Sequence, residues 1–188
     1  IVEDYSSNLI NLSDLSNLDN LYSNYSLYSL DASIAEISFN TSNTLPELQI
    51  GTLSNEYISL NYMLKDSSLN QDISAWDVSA VKSMEGMFQD ASCGEIGDIN
   101  RWIVKNVQDM SGMFRGSNFK KYIGDWSFND VSNMAFMFMD SQFDTSINNW
   151  NVEKVTKMQY MFAHTPFDQS LNKWQVEKVT NMAGMFMD

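Results

Sequence analysis

Sulfur nucleophiles, imidazoles and positive charge are all scarce in this chain. Cys93 is the sole cysteine and His164 the sole histidine of 188 residues, and eleven Lys and Arg face twenty-four Asp and Glu. One cysteine excludes an intrachain disulfide and says nothing of redox compartment. A net charge of −13 argues against nucleic-acid binding, because neutralising phosphates needs clustered cations. It also disfavours anionic membrane surfaces. No run approaches the ~18 apolar residues of a membrane span, so direct membrane insertion is not expected. The chain opens on Ile1 and stops at Asp188, just after Met185-Phe186, and is expected to be an array truncated at its C-terminus.

What is abundant is ordered. Trp150, Val152, Val155, Met158, Met161 and Phe162 follow the template W-x-V-x-x-V-x-x-M-x-x-M-F. It returns from Trp76 to Phe88, Trp102 to Phe114, Trp126 to Phe138 and Trp174 to Phe186. Trp76 to Trp102 is 26 residues and each later step is 24. The two extra residues fall around Cys93-Gly-Glu-Ile-Gly, read as a surface bulge. Tyr57, Leu60, Met63 and Leu64 fit one period earlier. Self-similarity at this spacing marks a repeat protein.

Within a repeat, Trp and Val two apart share one face of an extended segment. The Val81, Met84, Met87, Phe88 spacing makes one stripe of a helix, with Ser132, Thr156 and Thr180 placed to cap the helix start. The expected fold is therefore an α/β solenoid: a leucine-rich-repeat-like array of 24-residue strand–helix repeats with a parallel sheet on one face. One repeat cannot offset its own ordering entropy, so stacking is obligatory. Residues 57–188 form this repeat region. Residues 1–56, rich in Ser, Asn and Leu and free of Lys and Arg, read as a divergent N-terminal cap or degenerate repeat. Three acceptor sequons, at Asn11, Asn24 and Asn40, lie in that segment and arise easily by chance in so Asn- and Ser-rich a stretch.

The block from Phe167 through Leu171, Trp174, Val176, Val179, Met182 and Met185 to Phe186 resembles the BspA-type surface-protein repeats, also described as mycoplasma lipoprotein-associated repeats of unknown function. The likeness runs from about Tyr57 to Asp188. It implies a leucine-rich-repeat-like array on cell-surface or secreted proteins, tied to adhesion or host contact and without enzymatic activity.

Chemically distinctive side chains are mostly core positions in this scheme. The tryptophans face inward with their indole N–H groups satisfied, and the Met pairs pack with Phe rather than ligating copper(I). Cys93 and His164 lie in different repeats, leaving too few ligands for zinc and no Cys/His nucleophile pair. Asp72, Asp98, Asp144 and Asp168 occupy different template positions, which weakens a calcium ladder. No enzyme, metal or cofactor is expected.

The outward residues beside Trp and Val are the candidate binding face: Asp77, Arg101, Ile103, Lys105, Asp125, Ser127, Asn129, Asn149, Asn151, Glu153, Lys173, Gln175 and Glu177. The expected function is a non-enzymatic recognition or adhesion module, on the cell surface or secreted by the resemblance, binding a protein or glycan ligand through this face. The alternative is a structural subunit of a shell, filament or particle, with neighbouring subunits as partners.

Overall fold

The computed structural model describes residues 58–188 apart from Asn70. The expected cap or degenerate repeat at 1–56, its three sequons and Tyr57 lie outside the described residues.

Each repeat is a chain of tight turns. The Val81 N–H closes a turn on the Val78 carbonyl at 3.0 Å, Met87 on Met84 at 3.2 Å, Gln89 on Gly86 at 2.9 Å and Ala91 on Phe88 at 3.1 Å. The N–H groups between these point out of the repeat to the next one. Met84 donates to Asp109, Gly86 to Ser111, Phe88 to Met113 and Asp90 to Arg115, all between 2.7 and 2.9 Å. The same four bonds recur from Met110, Gly112, Phe114 and Gly116, and again from Met134 and Met158 onward. Alternate backbone donors thus serve the turn and the neighbour, which accounts for the buried amides without a helix.

The expected α/β solenoid of strand–helix repeats with a parallel sheet on one face is therefore overturned. Among the described residues there is no α-helix. The helical element is one turn of 3₁₀-helix at Ile99–Arg101, and the two strands are β1, Ile58–Ser59, and β2, Val81–Ser83, paired parallel. Beyond them strand pairing among the described residues is confined to single parallel bridges, one from Ser68 to Ser92 and a row from Ser83 to Asp109, Asp109 to Asn133, Asn133 to Lys157 and Lys157 to Asn181. The row falls after the second Val of the template, not on the Trp-x-Val segment expected to be the strand.

The physical reason is backbone handedness. The residue before the second Met has φ of +56° at Tyr62 and Gly86, +60° at Gly112 and Gly184, +59° at Phe136 and +55° at Tyr160. Four residues later, Asp66, Asp90, Gly116, Asp140 and His164 are again left-handed. Two left-handed residues four apart in the Met-x-x-Met-Phe segment forbid α-helical propagation there. Consecutive three-residue turns nevertheless bring the first Met, second Met and Phe to the same interior that a helical stripe would.

Ser132, Thr156 and Thr180 accordingly cap no helix. Their hydroxyls donate to the carbonyls of Gln108, Ser132 and Thr156, one repeat back, at 3.3, 3.1 and 3.1 Å. The local cap is one residue later: Asp109, Asn133 and Asn181 accept from the backbone N–H two residues on, an Asx-turn.

The core is a set of parallel columns. Phe88, Phe114, Phe138 and Phe162, with the exposed Phe186 at the end, stack in sequence with centroids 5.4, 5.7, 5.7 and 5.5 Å apart. Beside them runs Phe119, Phe143, Phe167 at 6.1 Å steps. Counted from Phe88, Cys93 holds the position of Phe119. The insertion is a surface turn only at Gly94 and Glu95; Cys93 and Ile96 fold inward and are buried, so a Cys and an Ile stand where later repeats have one Phe. Burial pushes the Cys93 thiol pKa up to about 12, with Lys121 pulling it slightly back.

Candidate functional site

Trp76, Trp102, Trp126 and Trp150 are buried, and stacking is parallel within the pairs Trp76–Trp102 at 6.4 Å and Trp126–Trp150 at 6.2 Å. Four indole N–H groups donate to a carbonyl of the repeat before: Trp102 to Ile73, Trp126 to Ile99, Trp150 to Ile123 and Trp174 to Ile147, at 2.9–3.1 Å. These bonds bind repeats together on the side where the backbone ladder is sparse. Inward Trp and Val leave the residues between and beside them facing solvent.

All thirteen candidate residues lie on that strip. Twelve are exposed and Asp77 is half-buried. Ile103 is 56% exposed, between exposed Arg101 and Lys105. Several serve the scaffold as well. The Asp77 and Asn151 side-chain oxygens accept from the N–H of Ser79 and Glu153 at 3.0 and 3.1 Å. Asp125 accepts from Asn100 Nδ2 at 2.9 Å and from the Tyr122 hydroxyl at 3.0 Å, a bond that raises the Tyr122 pKa. Arg101 pairs with Asp98 at 3.1 Å and Lys178 with Glu153 at 3.8 Å; both pairs are solvated and weak.

Five candidates converge. Asn149, Asn151 and Glu153 of one repeat, with Lys173 and Gln175 of the next, line a groove of about 330 Å³. Trp150, Val152 and Asn148 complete its lining. Lys173 Nζ donates to Asn149 Oδ1 at 2.9 Å, while Asn148 Oδ1 accepts from the Lys173 N–H at 3.0 Å. Asn148 Nδ2 in turn donates to Asn172 Oδ1 at 2.8 Å. Asp77, Arg101, Ile103, Lys105, Asp125, Ser127, Asn129 and Glu177 do not line this groove.

Sequence reasoning missed Asn148, whose signal was readable: Asn100, Asn148 and Asn172 recur two residues before Trp. Lys82, Gln108, Ser132, Thr156 and Thr180, the last three expected as helix caps, instead carry backbone bonds from repeat to repeat, because the pairing falls after the second Val and not at Trp-x-Val.

Elsewhere, Asp72 accepts from Ser74 at 2.8 Å, and that bonding holds its carboxyl below the usual range. Asp144 accepts from the Asp168 N–H and from Gln169 Nε2 at 3.2 and 3.0 Å. His164 Nδ1 lies 2.7 Å from Asp140 Oδ1. Among the described residues no group of three or more His, Cys, Asp and Glu is disposed to hold a metal ion, and no helix is long and apolar enough to cross a membrane.

A family model described as Mycoplasma protein of unknown function, DUF285, matches twice in succession, over residues 7–95 and 92–188. The chain belongs to that family. The first match takes in most of residues 1–56, where the full template is not legible. No curated protein and no solved structure matches.

Proposed function

We propose that this member of the family is a non-enzymatic recognition or adhesion module that binds a protein or glycan through the strip beside Trp-x-Val, as part of a cell-surface or secreted protein. The resemblance to BspA-type surface repeats belongs to this reading. The observation that carries it is a division of labour. Trp, Met, Phe and Cys, the residue types richest in chemistry, are spent on the core through most of the stack. The exposed side chains that vary from repeat to repeat sit on an ordered strip, and five of them close around a groove. Ordered repeats with variable outward positions give an extended surface on which several weak contacts add.

The experiment is binding of the purified chain to glycans, matrix proteins and intact cells, beside a variant with Arg101→Glu, Lys105→Glu and Lys173→Glu. The reading expects a roughly tenfold or greater loss for at least one ligand, the scale of reversing charges on a binding face. Unchanged binding to every ligand by a folded variant would overturn it.

A further inference from the structure

Resting on the recognition reading above, we infer that the groove between Asn149 and Lys173 is a carbohydrate subsite that takes one or two neutral sugar rings. Its volume of about 330 Å³ is at the small end of ligand pockets, roughly 300–1,000 Å³, and suits a compact ligand. Its polar lining is mostly amides, with one carboxylate, Glu153, and one ammonium, Lys173. The two charges are opposite, and Lys173 is already engaged by Asn149. In a chain of net charge −13 this favours a ligand without charge over a phosphate or an acidic peptide.

The remaining hydrogen-bond capacity matches hydroxyl groups, which both donate and accept. Asn149 and Asn151 each commit the side-chain oxygen to the protein, leaving the Nδ2 donors to a ligand. Among the described residues the Gln175 amide has no hydrogen-bond partner, and the Glu153 carboxylate has only a long contact to Lys178 at 3.8 Å. Amide donors beside a carboxylate acceptor satisfy vicinal hydroxyls in pairs. Trp150 is 2% exposed, so it offers no stacking face to a sugar ring, and hydrogen bonds carry orientation.

An extended peptide fits less well. Strand addition needs an open sheet edge, whereas the repeat at 148–153 is flanked by the repeats carrying Trp126 and Trp174, each bonded to it.

The test is a titration of the ¹⁵N-labelled chain, followed by amide and side-chain NH₂ shifts. The probes are glucose, galactose, mannose and N-acetylglucosamine, their disaccharides, and a neutral eight-residue peptide. Saturable shifts at Asn149, Asn151 and Gln175 with at least one sugar are expected. Gln175→Leu and Glu153→Gln should each weaken binding roughly 3- to 10-fold, the size of one lost hydrogen bond, and Gln142→Ala, exposed and outside both the groove and the strip, should not. Lack of saturation with any sugar, saturation by the peptide alone, or full affinity in Gln175→Leu overturns the subsite. If the Arg101/Lys105/Lys173 reversals abolish ligand or cell binding while Gln175→Leu changes nothing, the recognition strip stands and the subsite falls. Sugar saturation lost in Gln175→Leu, with all other ligands indifferent to the reversals, supports the subsite and removes the wider strip.

Discussion

The indole N–H of Trp150 donates to the carbonyl oxygen of Ile123, one repeat earlier, at 3.0 Å. With its equivalents at Trp102, Trp126 and Trp174, this bond makes tryptophan a tie between repeats as well as a core residue. Trp150→Phe keeps an aromatic ring but removes one of the two hydrogen bonds that the Ile123 carbonyl accepts, leaving the one from the Trp126 N–H at 3.2 Å. The expected cost of the lost bond is about 0.5–1.5 kcal/mol, read as a lower urea midpoint with the slope unchanged. A midpoint equal to wild type would place the indole N–H in water.

Cys93 gives a reactivity prediction. It is buried, its Sγ lies 3.8 Å from the Ala91 carbonyl, and burial holds the thiol near pKa 12. Thiolate is the reacting form. An aromatic disulfide reagent at pH 8 should therefore label the native chain orders of magnitude more slowly than the urea-unfolded chain, and equal rates would contradict an inward Cys93.

Tyr62 gives an alkaline one. Its hydroxyl donates to Glu85 at 2.5 Å, and burial first, then that bond, pushes its pKa up to about 12. The unfolded value is about 10. Because the folded pKa is raised, the stabilisation is fully present below about pH 10 and is lost as pH rises through about 12. The stability difference between wild type and Tyr62→Phe should therefore move in favour of the variant across that window. A pH-independent difference would contradict the bond.

The period and the interior were legible because Trp, Val, Met and Phe recur at fixed offsets, and burial of side chains depends on little else. The outward strip was legible for the same reason, since Trp and Val two apart leave their neighbours outside. The turn-built backbone was not, because Val81, Met84, Met87 and Phe88 satisfy helical spacing and consecutive turns equally. The deciding signal stood at other positions. Gly86, Gly112 and Gly184 share one template place, and Asp66, Asp90, Gly116 and Asp140 share the one four residues on. Both residue types tolerate left-handed backbone. Tyr62, Phe136 and Tyr160 in the glycine column hid it. Their rings lie along the stack: Phe136 stacks on Tyr160 at 5.5 Å, and a Cβ at Gly86 would meet the Tyr62 ring at 2.3 Å. The groove was hidden for another reason, since it forms between residues 24 apart whose side chains meet only once the repeats stack.

That the Met-x-x-Met-Phe segments are left-handed turns, and not helices, is tested most directly by the urea stability of Gly112→Ala. Gly112 has φ of +60°, and an added Cβ there has clear space, its nearest neighbour being Arg115 Cβ at 4.0 Å. Backbone handedness alone then decides the sign. The turn predicts a loss of about 1–2 kcal/mol, whereas a helix interior would gain about 1 kcal/mol from the same change. A more stable Gly112→Ala would contradict the account.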